Sequence, residues 1–409
     1  MTGNSYELYT KMKVAFVFTH VSHGSPGSFE RVRHLCTHLN TQGIECTILT
    51  PYEEDKAGIS DVPVQVIPSI INSMNLSSLS YSVFRKLSSS RLGSKIFLSE
   101  IALRQMTKNL AKGISKSIMK NKFDIIHAVQ PVAAVACTLI DRSNISMVTD
   151  LHNIWSEELV LYDIIKKDDP IFSRLRRMEQ NIINSSDSLT VVSDTMKSYI
   201  LKNYSASANS IVVLPPAGYI TDLELERERN VVYAGMVSAR EHVDLFAKSI
   251  QFVKGQASFH ISNYGDDLGR IKKLTEKSGH PRVLYSWFKS RPELITFLHK
   301  SRIGIVTSKN DICRQLGPAL KLFEYISCGL PIVANDIGGW TQIIEDEKIG
   351  ILTHDDPQEF AKAIDLLLED NQLWNTLHEN ALRLVRTKQN WESNVKKILI
   401  PAYEKLLSK

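Results

Sequence analysis

GPALKLFEYISCGLPIVANDIGG, residues 317–339, places a helix, a sharp stop and a buried strand in one short stretch. Pro318 suits the first helical position, where its missing N–H would be unpaired anyway and its φ is already helical. Leu320, Phe323 and Ile326 recur about one turn apart, and Cys328 with Gly329 closes the helix. PIVA at 331–334 then reads as a strand, as does IGIV at 303–306 ahead of the helix. Strand, helix and strand in that order form a βαβ unit with a right-handed crossover. Its strand-to-helix loop, residues 307–317, opens at the carboxyl edge of the sheet, where ligands bind. The helix start at Gly317 and Pro318 aims free N–H groups at that edge and suits an anion. Lys321 and Glu324 lie three apart, hence on one helix face. A cation beside a phosphate site, followed by a carboxylate able to grip a diol, suits a sugar nucleotide.

The string running from Pro318 through KLFEYISCGLPIVA resembles the donor-binding signature of the GT-B fold glycosyltransferases, specifically the retaining family 4 (glycosyl transferases group 1). The similarity continues into IIEDEKIGILTHDDPQEFAKAIDLLLED, residues 343–370, which resembles the family's C-terminal helices. The resemblance implies that Glu324 holds the nucleotide ribose and that Lys321 meets the diphosphate. Two departures stand out. Leu316 occupies the place of an earlier Glu that contacts the donor sugar, and Met236 and Glu241 occupy the places of a basic pair that neutralises the diphosphate. Arg240 substitutes for that pair one residue away. More weight therefore falls on Lys321 and on the helix N-terminus.

A chain of 409 residues exceeds one typical core, so two α/β domains are expected. The hydrophobic share of 43% and charged share of 23% are those of an ordinary globular protein. Cys36, Cys46, Cys137, Cys313 and Cys328 are scattered and mostly sit in apolar runs, without a zinc spacing or disulfide framework. That usage, with no signal-peptide pattern at the start and no apolar run long enough to span a bilayer, reads as a cytoplasmic protein. A net charge of +5 says little about nucleic acid, and none is expected as a partner. Residues 85–122, however, carry ten basic residues against the single acid Glu100, on a helix-like apolar repeat. Such a segment either lies on the inner face of an anionic membrane and meets a lipid-linked acceptor, or is the solvated outer helix of a Rossmann-like domain.

Taken in order, KVAFVFT at 13–19 is a central parallel strand, followed by a loop bearing Gly24 and Gly27, a helix and a second strand from Cys46 to Thr50. The dinucleotide fingerprint is incomplete there. The resemblance makes Gly24 and Gly27 candidates for approaching the donor diphosphate or the acceptor. VPVQVIP, FDIIHA and SMVTDLH supply further strands, the last placing Asp150 and His152 at the carboxyl edge. The family often has a histidine in that loop, so His152 is the candidate to orient or deprotonate an acceptor hydroxyl, with Asp150 or Glu157 beside it. SLTVVSD follows, with Asp194 as the expected cap of the next helix. The domain joint falls between Pro215 and Asn230. In the second domain NVVYAG, ASFHISNYGDD, PRVLYSWF and RIGIVTS are strands alternating with helices, and Trp287 or Phe288 is placed to border the base. The last helix, about 391–403, should kink at Pro401.

The expected architecture is GT-B: two Rossmann-like domains, 1–215 on the acceptor side and 216–388 on the donor side, facing a central cleft. A C-terminal helix, 389–409, crosses back to the first domain. The implied reaction moves a hexosyl unit from a UDP- or GDP-linked sugar to a glycan, lipid-linked or small-molecule acceptor with retention, and needs no cofactor. Since no Asp-any-Asp triplet occurs, no metal is called for. A sugar-nucleotide epimerase of the same fold and a catalytically silent transferase-like subunit are the alternatives.

Overall fold

The computed structural model describes residues 12–19, 26–51, 62–67, 100–279 and 282–408. They form two compact units, one of Met1–Pro215 with Glu392–Lys409 and one of Pro216–Trp391.

The first unit runs β1 (Lys13–Phe18), α1 (Pro26–Thr41), β2 (Glu45–Thr50), β3 (Val64–Val66), α2 (Glu100–Lys120), β4 (Ile125–Val129), α3 (Gln130–Thr138), β5 (Ser146–Leu151), α4 (Trp155–Leu161), α5 (Pro170–Ser185), β6 (Ser188–Val191), α6 (Asp194–Asn203) and β7 (Ile211–Val213). Its strands are all parallel, in the order β3-β2-β1-β4-β5-β6-β7. Five of the six residues of β1 and all of β4 are buried, as a sheet covered on both faces requires. Chain order reverses between β1 and β4, the switch point at which open parallel sheets bind ligands.

The second unit repeats the plan with β8 (Asn230–Tyr233), α7 (Val243–Ser249), β9 (Ser258–Ser262), α8 (Leu268–Ser278), β10 (Val283–Ser286), α9 (Arg291–Lys300), β11 (Ile303–Val306), α10 (Ile312–Leu316), α11 (Leu320–Ser327), β12 (Ile332–Asn335), α12 (Thr341–Glu347), β13 (Gly350–Thr353), α13 (Pro357–Glu369) and α14 (Asn371–Thr387). The parallel order is β10-β9-β8-β11-β12-β13, which puts the switch point between β8 and β11. The chain ends in α15 (Trp391–Asn394), a π-helical turn (Val395–Leu399) and α16 (Ile400–Leu407).

Several local expectations are corrected. Ala319, extended at φ −72° and ψ 136°, caps α11, so Pro318 lies before the cap and Leu320 is the first helical residue. Residues 307–317 are no plain loop, because Asp311 accepts from Arg314 N and starts the short α10. Ser193 Oγ caps α6 by accepting from Met196 N, which leaves Asp194 in the first turn. Residues 343–370 hold the strand β13 as well as helices. The disruption near Pro401 takes the form of the π-helical turn just before it, and the helix continues to Leu407. Proline lacks the N–H and crowds the carbonyl four residues back, so the preceding turn widens.

Candidate donor site and acceptor-side network

At the switch point of the second unit the backbone loops after β8, β9 and β11 converge. Val237 N donates to Tyr264 O (2.9 Å) and Asp267 N to Val237 O (3.1 Å), which locks the first two together. Gly265 has φ +127°, and a Cβ there would sit 2.0 Å from Val237 O, so only glycine permits the approach. Thr307 Oγ1 donates to Glu241 O (2.8 Å), while Ser308 Oγ and Lys309 N both donate to Arg240 O (3.0 and 2.8 Å), tying in the loop after β11.

Lys321 stands in the first turn of α11 with 9% of its side chain exposed, and its Nζ donates to Tyr233 OH (2.7 Å) and Glu241 Oε2 (2.6 Å). The other oxygen of Glu241 accepts from Arg314 Nη2. Arg314 Nε also donates to Ser308 Oγ (3.2 Å). Burial would raise the Glu241 carboxyl, but the Lys321 and Arg314 charges outweigh it and hold it down to about 2. Burial also eases the Lys321 amine below its usual value, against the pull of Glu241. The nearest heavy atom to a Cβ built on Gly235 is Lys321 Nζ at 2.8 Å, so the ammonium lies over bare backbone at the end of β8.

One turn on, Glu324 is partly exposed, and its Oε1 accepts from Arg291 Nη1 (2.7 Å) at the start of α9. Tyr264 lies close enough that, after burial, the Glu324 and Glu241 charges help push its hydroxyl up to about 12. Trp287 is 62% exposed and meets Tyr264 edge-on at 6.0 Å, whereas Phe288 packs on Phe297 at 5.1 Å. Trp287 therefore keeps most of its surface in solvent, whereas Phe288 serves the packing.

Sequence reasoning named Lys321, Glu324, Arg240, Gly317, Pro318 and Trp287 as candidates. The fold brings Lys321, Glu324 and Arg240 into one neighbourhood and gives Gly317 a packing role. A Cβ on Gly339 would lie 2.7 Å from the Gly317 carbonyl carbon, which presses the two loops together. Arg240 Nε lies 3.5 Å from Asp311 Oδ2. Arg291, Arg314 and Tyr233 were missed. A carboxylate at Glu241, where a cation was expected, was the one signal that pointed to an internal partner for Lys321. Leu316 is buried and packs inward.

In the first unit Asp150 is wholly buried at the end of β5. Its carboxylate accepts from Arg31 Nε (2.8 Å) and Nη2 (3.1 Å) and from Thr190 Oγ1 (2.8 Å), and it meets His152 Nε2 at 2.8 Å. Register explains the threonine, since Asp150 lies opposite Thr190 across β5 and β6. Burial opposes ionisation, yet Arg31, His152 and His127, whose Nε2 lies 3.8 Å from Asp150 Oδ2, hold Asp150 well below the usual carboxylate range. His152 Nδ1 lies 3.2 Å from Ser28 Oγ in α1. Glu157 is turned away, accepting from Tyr199 OH (3.0 Å) and pairing with Lys167 (3.1 Å). Gly27 lies within the first turn of α1 rather than in a loop, because Pro26 starts the helix ahead of it. Gly24 falls outside the described residues.

Along α2, Lys108, Lys112, Lys116 and Lys120 are exposed, together with Ile101 (83%) and Met119 (84%). The part of the basic segment before residue 100 falls outside the described residues. Among the described residues no helix is long and apolar enough to cross a membrane, and no cluster of three or more His, Cys, Asp or Glu is arranged to hold a metal ion. The five cysteines are buried, and none forms a disulfide.

Two family descriptions match the chain in sequence: Glycosyltransferase Family 4 over residues 27–217 and Glycosyl transferases group 1 over residues 228–370. An uncharacterized glycosyltransferase of Methanocaldococcus jannaschii is 24% identical over 231 residues, covering 53% of this chain and 58% of that protein. The chain thus spans little more than half of that relative. Sucrose-phosphate synthase from Thermosynechococcus elongatus superposes with TM-score 0.74 at 18% identity, covering 97% of this chain and 100% of the other. Anabaena HepE in complex with UDP and glucose does so with TM-score 0.72 at 15% identity and the same coverage. These likenesses establish the fold.

Proposed function

The chain belongs to the GT-B glycosyltransferases of group 1, and from that premise we propose that it moves a hexosyl unit from a nucleoside diphosphate sugar, UDP- or GDP-linked, to a glycan, lipid-linked or small-molecule acceptor, with retention. The observation that carries this reading is the meeting, at the switch point of β8 and β11, of the α11 N-terminus, Lys321 and, one turn on, Glu324. The carboxylate offers two acceptors to paired ribose hydroxyls. Lys321 and the free N–H groups of α11 stabilise charge that grows on the diphosphate as its bond to the anomeric carbon breaks, without a metal or cofactor. The acceptor oxygen bonds to that carbon on the same face and its proton passes to the departing phosphate oxygen. His152, oriented through Asp150, positions the acceptor hydroxyl.

HepE binds UDP and glucose, which makes UDP-glucose the first donor to try. In a thermal-shift screen of UDP and GDP sugars, at least one should raise the melting temperature in a concentration-dependent way. If none does, the donor reading fails. A silent subunit is suggested by the residues at Leu316, Met236 and Glu241, and the pairing of Lys321 with Glu241 favours it. Donor hydrolysis in the absence of acceptor would exclude it.

The exposed lysines and apolar side chains of α2 support contact with an anionic membrane surface, from which a lipid-linked acceptor is reached. Each such basic residue contributes roughly 1 kcal/mol. The wild type should sediment with phosphatidylglycerol vesicles at low salt, and the triple change Lys108→Glu, Lys112→Glu and Lys116→Glu should abolish it. Equal sedimentation of the two would leave α2 a solvated outer helix.

A further inference from the structure

We propose that Glu241 is an internal anion that holds Lys321 and Arg314 in place of the donor's diphosphate, and so sets how strongly the second unit favours phosphate charge. The inference rests on the donor reading above and adds a specificity-determining residue to it. Three cations gather here, Lys321, Arg314 and Arg240, against two carboxylates, Glu241 and Asp311. Arg240 pairs with Asp311 at 3.5 Å, so Lys321 and Arg314 are left to share Glu241, one on each oxygen. Neither cation has a carboxylate to itself, and the excess positive charge lies beside the N-terminus of α11.

The carboxylate is the fixed member of this trio. Its residue is pinned through Glu241 N to Ser238 O (3.1 Å) and Thr307 Oγ1 to Glu241 O (2.8 Å), and Glu241 Oε2 also accepts from Tyr233 OH (3.3 Å). Lys321 and Arg314, by contrast, reach Glu241 on long side chains with several rotatable bonds. A phosphate arriving near Gly235 must either draw them from Glu241 or bind facing a like charge, and juxtaposed like charges oppose binding strongly. Glu241 therefore lowers the affinity gained per phosphate and leaves the two cations available to the transition state, when the leaving group becomes more negative.

The test measures, by calorimetry on the full chain, the dissociation constants of UDP, UMP and uridine and of their guanine counterparts. It compares wild type with Glu241→Gln, which keeps the shape and an oxygen for Lys321. The expected result is about tenfold tighter diphosphate binding in Glu241→Gln, a smaller gain for the monophosphate and none for the nucleoside. Arg314→Gln should shift the same ratio the opposite way, which keeps the test alive should the first variant misfold. A diphosphate-to-nucleoside ratio in Glu241→Gln equal to or below wild type, or a ratio that Arg314→Gln leaves unchanged, overturns this role for Glu241 while the donor site stands. Failure of all three proteins to bind any nucleotide overturns the donor reading and this inference with it.

Discussion

Each unit buries a carboxylate among cations at the carboxyl end of its sheet, and the two are served very differently. Asp150 in the first unit has one guanidinium in a two-pronged grip, a threonine hydroxyl and a histidine, and Arg31 continues on to Leu214 O (2.9 Å). One carboxylate meets one guanidinium within the core. Glu241 in the second unit is divided between two cations at the edge where α11 begins. The first arrangement fixes a geometry and holds the His152 imidazole against Asp150. The second leaves cationic charge over, and a leftover charge beside a helix N-terminus is what an anionic ligand can use. Two buried ion-pair clusters of similar composition thus differ in the ratio of partners, one carboxylate per guanidinium in the first unit and one shared between two cations in the second.

Breaking the matched cluster should have the largest effect. Asp150→Asn leaves Arg31 charged and buried without its counter-ion, and is expected to cost about 3–5 kcal/mol of stability in urea unfolding. The pH dependence follows the same group. Its folded-state value is depressed, so its contribution is complete above the unfolded value of roughly 3.9 and is lost as pH falls through the folded one. Wild-type stability should therefore drop on acidification below about pH 4, and Asp150→Asn should remove that share of the drop. A variant as stable as wild type, with an unaltered acid limb, would show that Asp150 is not the keystone of its unit.

The unmatched cluster should respond in rate and affinity instead of stability. Lys321→Ala removes the cation that the proposed mechanism brings to the leaving diphosphate and is expected to lower kcat about a hundredfold with donor affinity changed less. Glu324→Gln keeps the shape but gives up a charged hydrogen bond, weakening donor binding about tenfold. Because Arg291 keeps some solvent contact, the fold should survive. Folded variants of both kinds that bind and consume donor as wild type does would move the site elsewhere. His152 joins the comparison from the matched side. His152→Ala should slow transfer to acceptor about tenfold or more while donor affinity holds. Lost stability with an unchanged rate per folded molecule would return it to the scaffold.

Most of the fold is legible because its signals are local. Apolar runs such as FVF and IGIV read as buried parallel strands, helical spacing and glycine stops mark the connections, and their alternation points to two Rossmann-like sheets. Lys321 and Glu324 are equally legible, since three residues on a helix fix their mutual placement. Helix starts were less so. Ala319 and Ser193 won the cap positions from Pro318 and Asp194 because backbone geometry decides among adjacent candidates.

The partners are what sequence could not supply. Glu241 precedes Lys321 by 80 positions and Arg291 precedes Glu324 by 33, while Arg31 precedes Asp150 by 119. No periodicity links such pairs. They meet because the parallel crossovers place β8 beside β11, and because α1 carries Arg31 to Asp150 at the end of β5. The chain alone therefore determined which residues are candidates for the chemistry of a sugar nucleotide. Only the tertiary structure decided which charges are already spent on one another, because that depends on strand order, and strand order is fixed by packing across the whole sheet rather than by any neighbourhood in the sequence.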